Sequence, residues 1–286
     1  MVTKRVLRIA SFILLGLLLA GAALVSGCGQ KEATQTPAST SALSGTLTIA
    51  GSTSVQPFSE VLAEAFMATN KGVQVNVQGG GSSVGVEAAV SGAAGIGASS
   101  RALKAEEKAK GLVDTTIALD GIAVVVNQVN NINDLKTADV MNIYLGNIKN
   151  WKELGGPDAP ITVVSREEGS GTRDAFTDLV MQKKDIVKTA IIQNSTGAVR
   201  TTVAGDKNAI GYVSMSSLKP EVKALAIDGI AANEANVKAG TYKLQRPFLY
   251  ATKGEPIGLA KAFIDFVLSA EGQKLIVEEG AFSIHK

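Results

Sequence analysis

Serine, threonine and glycine residues cluster at four points of the 286-residue sequence, each between an apolar run and a helical pattern. The four segments are residues 51–54 (GSTS), 79–83 (GGGSS), 99–101 (SSR) and 169–172 (GSGT). In an open parallel sheet, turns from strand to helix lie together at the carboxyl ends of the strands, where ligands bind. Helix N-termini there offer free backbone N–H groups and a partial positive charge, and hydroxyls add further donors. Ordinary helix capping explains any one segment, but four segments, two of them with an adjacent arginine, favour a shared site for a small anion.

The same segments lack the signatures of cofactor and metal sites. Neither a Walker pattern, G-x-x-x-x-G-K-[ST], nor a G-x-G-x-x-G that follows a strand pattern occurs in the sequence. One histidine (His285) and one cysteine (Cys28) provide neither a His-rich metal site nor a disulfide framework. Neutral donors with one or two guanidiniums suit a small dehydrated oxyanion, and they indicate no cofactor and no metal.

The N-terminus has the pattern of an export signal. A basic start is followed by a 17-residue apolar run at residues 9–25 and by small residues before Cys28. This predicts a lipoprotein signal peptide over residues 1–27 and a palmitoyl-type acyl chain on Cys28. A buried core cysteine and an uncleaved membrane anchor are the alternatives, although the run is at the short end of the ~17–25 residues of a span. Residues 28–44 have almost no large apolar residue and are predicted to be the acylated cysteine and a flexible tether to the outer face of the cell membrane.

The charge of the remaining chain excludes nucleic acid as a partner. Cleavage removes Lys4, Arg5 and Arg8 but no acidic residue, so the formal net charge falls from +2 to −1. Aromatic residues make up only 5% of the chain, and they do not interleave with a basic stripe.

Short apolar runs alternate with helical patterns from residue 45 onward. Strands are predicted at residues 46–50, 73–77, 95–98, 117–127 and 161–164. Helices are predicted at residues 58–68, 84–90, 102–109, 133–143, 173–182 and 259–268. This alternation indicates an α/β fold with mainly parallel strands, and about 240 residues suit two lobes better than one doubly wound unit.

At these segments the sequence resembles the phosphate-binding proteins of bacterial phosphate ABC transporters. The resemblance is carried by residues 50–57 (AGSTSVQP), 79–85 (GGGSSVG), 96–101 (IGASSR), 143–151 (IYLGNIKNW), 166–173 (REEGSGTR) and 268–273 (LSAEGQ). It implies a type II periplasmic-binding-protein fold: two lobes, each a mainly parallel sheet flanked by helices, joined by a two-strand hinge. We expect lobe 1 at residues 45–121 and 247–286, and lobe 2 at residues 122–246, with hinge crossings near residues 121–126 and 245–249. The resemblance also implies a monomeric, non-enzymatic receptor that delivers inorganic phosphate to a membrane permease.

The resemblance assigns site residues motif by motif. The phosphate-binding residues it implies are Thr53, Ser54, Ser82, Ser100, Arg101, Arg166, Ser170, Gly171 and Thr172, with Ser52, Ser83, Glu168 and Asn194 as secondary candidates. Glu168 would be the carboxylate that holds Arg166. Ser100 stands where the best-known relatives carry an aspartate that accepts the proton of hydrogen phosphate. A serine accepts without charge, so selectivity against sulfate is left open. Arg101 would either add a second guanidinium or form a surface ion pair.

Three other functions are weighed against this interpretation. The site could serve another tetrahedral oxyanion, such as sulfate, or the same protein could be a sensor or adhesin without a transporter. Residues 81–85 (GSSVG) also match the serine-hydrolase pattern G-x-S-x-G, with His285 as the only available base. That histidine is the penultimate residue, where a frayed tail is expected, so the hydrolase is disfavoured.

Overall fold

The structure is a computed structural model that describes residues 43–285. The predicted signal peptide, Cys28 and almost all of the predicted tether lie outside the described residues. Within residues 43–285 the chain forms eleven strands and nine α-helices. The strands are β1 (Ser44–Gly51), β2 (Gly72–Gly79), β3 (Ile96–Ser99), β4 (Leu112–Asn127), β5 (Asp134–Leu135), β6 (Thr162–Arg166), β7 (Ile191–Gln193), β8 (Ala209–Ser214), β9 (Val222–Ala224), β10 (Ala226–Ile227) and β11 (Gln245–Lys253). The helices are α1 (Gln56–Thr69), α2 (Ser82–Ser91), α3 (Ala105–Lys108), α4 (Thr137–Leu145), α5 (Gly171–Leu179), α6 (Thr196–Gly205), α7 (Glu234–Lys238), α8 (Gly258–Leu268) and α9 (Ala270–Glu278).

The main sheet has parallel strands at both ends. Its order is β2-β1-β3-β11-β4-β8-β6-β7, with β9 paired to β4, and β10 and β5 form a separate parallel pair. Strands β2, β1 and β3 are parallel to one another, as are β8, β6 and β7. The central pairs β3–β11, β11–β4 and β4–β8 are antiparallel. The predicted α/β class is confirmed.

Strand β4 links the two halves of the sheet. Its second half, Ile122 to Val126, is completely buried, which is typical of a strand covered on both faces. It pairs with β11 through Gly121 and with β8 from Ile122 onward.

The buried apolar side chains form two large clusters. One contains residues between positions 122 and 244 together with Phe282, and the other contains residues between positions 47 and 118 and between 248 and 281. A smaller third cluster lies around Val86 and Leu249. Fully burying a side chain of this type stabilises the fold by roughly 1.5–3 kcal/mol, so each large cluster is a substantial core.

Stacked aromatic rings fix the strands and helix that carry the site. The rings of Phe176 (α5) and Tyr212 (β8) stack at 4.1 Å between centroids with 7° between their planes. The Tyr212 hydroxyl lies 2.8 Å from Ser165 Oγ and accepts the backbone N–H of Arg166 at 3.2 Å. Burial raises the pKa of Tyr212 to about 12, so its phenol stays protonated at neutral pH. These contacts hold the end of β6 and helix α5 against β8.

Some predicted elements differ from the observed ones. The helix expected at residues 133–143 begins at Thr137, because Asp134 and Leu135 pair with β10 instead. The helix expected at residues 102–109 is observed only over Ala105–Lys108 (α3). The helix expected at residues 173–182 is α5, which begins two residues earlier, at Gly171. In the part of the chain that the structure describes, no helix has the length and apolarity needed to cross a membrane.

Candidate functional site

Four helices begin where four strands end. Helices α1, α2, α5 and α6 follow β1, β2, β6 and β7, and their first turns carry the Ser, Thr and Gly residues of interest. With 9 to 14 residues each, these helices present free N–H groups and partial positive charge at their N-termini. Six hydroxyl residues of these turns and of the loop after β3 form what we call the hydroxyl cluster: Thr53, Ser54, Ser82, Ser100, Thr172 and Thr196.

The Ser54 hydroxyl joins the first strand-to-helix turn to α5 and α6. Its Oγ lies 3.0 Å from Thr172 Oγ1 and 2.8 Å from Thr196 Oγ1. All three residues are at most 2% exposed. Residues 118 and 142 positions apart thus meet, as the shared-site prediction requires for Ser54 and Thr172.

Ser82 and Ser100 form the second part of the cluster, against the first residue of α5. Ser82 Oγ accepts the backbone N–H of Ser100 at 3.0 Å and lies 3.4 Å from Ser100 Oγ. A Cβ atom at Gly171 would lie 2.2 Å from Ser82 Oγ and 2.7 Å from Ser100 Oγ. Only glycine therefore allows the N-terminus of α5 to approach these hydroxyls so closely.

Arg166 supplies a positive charge to the cluster. Its Nη1 donates to Thr196 Oγ1 at 3.1 Å and its Nη2 to Thr53 Oγ1 at 3.2 Å, with the residue 1% exposed. The carboxylate that holds this guanidinium is Glu167, at 2.7 and 2.8 Å, so the prediction of Glu168 was wrong. The Ser170 N–H bonds the Glu167 carbonyl and closes a turn there, which leaves Glu168 at the wall of an outer pocket of about 450 Å³.

Arg101 lies beside the cluster in a network of ion pairs. Its guanidinium makes a two-point contact with Glu107 at 2.7 and 2.8 Å and donates to Asp174 at 2.8 Å. Burial alone would raise the pKa of Glu107, but hydrogen bonds from Arg101 and the Lys104 N–H lower it below its ordinary value. Arg101 therefore forms the predicted ion pair, although at 5% exposure it does so in a buried position and not on the surface, and its role as a second guanidinium ligand stays a prediction. Its nearest approach to a predicted residue is 3.4 Å from Nη2 to Ser83 Oγ.

The remaining predicted residues form bonds within or between these turns. The hydroxyls of Ser52 and Ser170 accept backbone N–H groups of their own turns, from Ser54 and Arg173. The Ser83 N–H donates to Gly169 O at 3.0 Å. Asn194 is exposed, and the segment that it opens contributes Thr196 to the cluster instead.

The sequence analysis missed a buried ion pair on the two central strands. Asp120 of β4 and Arg246 of β11 face each other in register, and Arg246 Nε donates to Asp120 Oδ2 at 3.0 Å. The same guanidinium donates through Nη1 to Thr172 Oγ1 at 2.8 Å. Burial raises the pKa of Asp120 from its ordinary value, against the opposing charge of Arg246 and a hydrogen bond from Ser214. The available signal was one acidic residue in the apolar run at residues 117–126 and one basic residue at the start of the apolar run at residues 246–251, and buried positions tolerate such charges only as pairs.

The arrangement gives no support to hydrolase chemistry. The His285 ring is exposed and bonds the Leu268 carbonyl at 2.8 Å, whereas the Ser83 hydroxyl contacts Arg101. Among residues 43–285, no group of three or more His, Cys, Asp or Glu side chains could hold a metal ion.

Several known proteins are similar to this chain in sequence and in structure. A PBP superfamily domain matches residues 36–271. The phosphate-binding protein PstS of Bacillus subtilis is 39% identical over 244 residues, which cover 84% of this chain and 80% of that protein. A phosphate-bound structure from Clostridium perfringens, described as a phosphate ABC transporter substrate-binding protein, superimposes with a TM-score of 0.82 at 43% identity, over 84% of this chain and 100% of that one. An ABC-type phosphate transport receptor from Vibrio cholerae gives a TM-score of 0.71 at 38% identity, over 82% and 99% of the two chains.

Proposed function

The chain belongs to the PBP superfamily and within it to the PstS family of phosphate-binding proteins, and we propose that it captures inorganic phosphate for an ABC transporter. This membership confirms the predicted family, the type II periplasmic-binding-protein fold and the non-enzymatic class, since the relatives are phosphate transport receptors. The phosphate site that we propose is the hydroxyl cluster with Arg166.

The observation that carries this proposal is the convergence of hydroxyls, helix N-termini and one buried guanidinium. Ser54, Thr172, Thr196 and Arg166 are all at most 2% exposed, so an anion held there would be almost fully desolvated. Hydrogen bonds to a charged group contribute about 1.5–3 kcal/mol each. Four or five of them, less the costs of desolvation and closure, correspond to roughly micromolar affinity or better.

We propose that the two large apolar clusters are the cores of two lobes that close on the anion. The contacts between Ser54 and Thr172 and between Arg166 and Thr53 would then join lobe 1 to lobe 2. Strands β4 and β11 would form the hinge. A ligand that bridges donors on both lobes stabilises the closed state in proportion to its preference for that state.

We also propose an extracytoplasmic location, a lipid anchor on Cys28 and delivery of phosphate to a membrane permease by a monomeric receptor. The export pattern of residues 1–27 supports the first two, and the transport role of the relatives supports the third. A Cys28→Ala variant that still partitions into membranes and incorporates labelled palmitate would contradict the anchor.

Isothermal titration with phosphate and then sulfate tests the proposed ligand. The protein used is a fragment from residue 29 onward, which lacks the predicted signal peptide and Cys28. It retains both large apolar clusters, whose members lie between residues 47 and 282. We expect tight one-to-one binding of phosphate to the ligand-stripped protein. Tight binding of sulfate alone would assign the site to another oxyanion, and binding of neither ion would refute the proposal. Phosphate uptake that is unchanged in cells lacking the protein would favour the sensor or adhesin.

A further inference from the structure

A second guanidinium lies against the hydroxyl cluster. Arg246 stands on β11 opposite Asp120 of β4, and its side chain is 2% exposed. Its Nη1 donates to Thr172 Oγ1 at 2.8 Å and to the carbonyl oxygen of Ser100 at 3.1 Å. Arg246 therefore contacts the two predicted phosphate-binding residues that frame the N-terminus of α5.

One nitrogen of this guanidinium, Nη2, has an N–H group that is not used in a hydrogen bond within residues 43–285. Arg246 Nη2 is fully buried and lies 2.9 Å from Asp120 Oδ2, within ion-pair distance, but among residues 43–285 no acceptor completes a hydrogen bond with it. Buried donors in folded proteins nearly always have an acceptor. Because Nη1 of the same rigid fork points to Thr172 and Ser100, an oxyanion held by those residues would bring an oxygen to this end of the guanidinium.

The charges of the site also favour an anion next to Arg246. Arg166 is paired with Glu167 and Arg246 with Asp120, so the cluster contains two ion pairs of no net charge. Burial lowers the pKa of Arg246 and Asp120 opposes this, while the charge of Arg166 lowers it further. Arg166 bonds Thr196 and Arg246 bonds Thr172, and both of these hydroxyls contact Ser54, so an anion held at the cluster would lie near both guanidiniums.

We propose that Arg246 is a second guanidinium ligand of the bound phosphate and that Asp120 is the residue that positions it. The inference rests on the proposed phosphate site. It adds to that site a ligand carried by the strands that we propose as the hinge, so anion binding would act directly on the segment about which the lobes close. Ser100 is neutral, whereas the best-known relatives carry an aspartate at this position. A carboxylate at position 100 therefore does not neutralise the charge of Arg246 in this protein.

The test compares phosphate affinity with stability in three variants of the fragment from residue 29 onward. Arg246→Met should weaken phosphate binding by about 10- to 100-fold, the effect of one charge-assisted hydrogen bond. Arg246→Lys keeps the charge but loses the fork, so it should weaken binding less and remains informative if the methionine variant does not fold. Asp120→Asn keeps the shape but loses the ion pair that positions Arg246, so it should weaken phosphate binding by less than Arg246→Met does. Arg200→Met, which removes an arginine bonded to the Ser217 carbonyl outside the cluster, is the matched control.

A purely structural pair would give a different pattern. In that case the Arg246 and Asp120 variants would lower the unfolding temperature without phosphate by similar amounts but would leave the phosphate affinity of the folded protein unchanged. Phosphate binding by Arg246→Met or Arg246→Lys within about threefold of the wild type, in a folded protein, would overturn the inference and leave the proposed function intact. Failure of the wild type to bind phosphate would overturn both.

Discussion

Replacing Arg166 should abolish most of the phosphate affinity. Two of its nitrogens, Nη1 and Nη2, donate to the hydroxyls of Thr196 and Thr53 at 3.1 and 3.2 Å, and both face the proposed anion site. If each makes one charge-assisted bond to phosphate, their loss removes about 3–6 kcal/mol of binding free energy. The dissociation constant should then rise by roughly 10² to 10⁴ in Arg166→Met.

The Glu167 carboxylate, which loses its partner when Arg166 is replaced, provides a second test. In Arg166→Met the Glu167 side chain, 26% exposed, loses its counter-charge beside the anion. The double variant Arg166→Met/Glu167→Gln should therefore recover at least about tenfold in affinity, or 1.4 kcal/mol. Calorimetry gives the affinities, and thermal unfolding without phosphate shows whether each variant is folded. An affinity within about threefold of the wild type in a folded Arg166→Met would refute the assignment of the site.

Three further predictions concern the turns around the cluster. Gly171→Ala places a Cβ 2.2 Å from Ser82 Oγ and should reduce phosphate affinity at least about tenfold, whereas Gly197→Ala, with only one atom at 4.0 Å, should bind like the wild type; equal affinities would contradict the close approach. Ser100→Asp should sharpen discrimination of phosphate from sulfate in competition titrations, because a carboxylate accepts the proton of hydrogen phosphate, and unchanged ratios would place Ser100 outside the site. Glu107→Gln should lower the free energy of unfolding by about 1.5–3 kcal/mol at pH 7. Because the pKa of Glu107 is lowered in the folded state, that difference should shrink once the pH falls below its ordinary value of 4.5 and vanish as the pH falls through the lowered pKa of the folded state. A difference that persists in denaturant titrations below both pKa values would count against the ion pair.

The positions of the hydroxyl segments could be predicted from sequence because they follow from local chemistry. A Ser or Thr at the start of a helix that follows a parallel strand lies at the carboxyl edge of the sheet, whatever the rest of the fold. Ser54 and Thr172 therefore meet as predicted, although 118 positions separate them.

The ion-pair partners of the two arginines could not be predicted from local sequence. Glu167 and Glu168 are adjacent carboxylates with the same chemistry, and only the turn closed by Ser170 decides which one faces Arg166. Asp120 and Arg246 are 126 positions apart, and their pairing depends on the register of two long strands, which no local pattern specifies. The candidate named in the segment after β7 was Asn194, whereas the structure places Thr196 in the cluster, and the three-residue strand before them gives only a weak sequence pattern.

A crystal structure of the phosphate complex tests the central claim most directly. We predict one tetrahedral anion within hydrogen-bond distance of Arg166, Thr172 and Ser82, with an oxygen against the Arg246 guanidinium. Phosphate bound at saturation anywhere else, with these residues still bonded only to one another, would contradict the account.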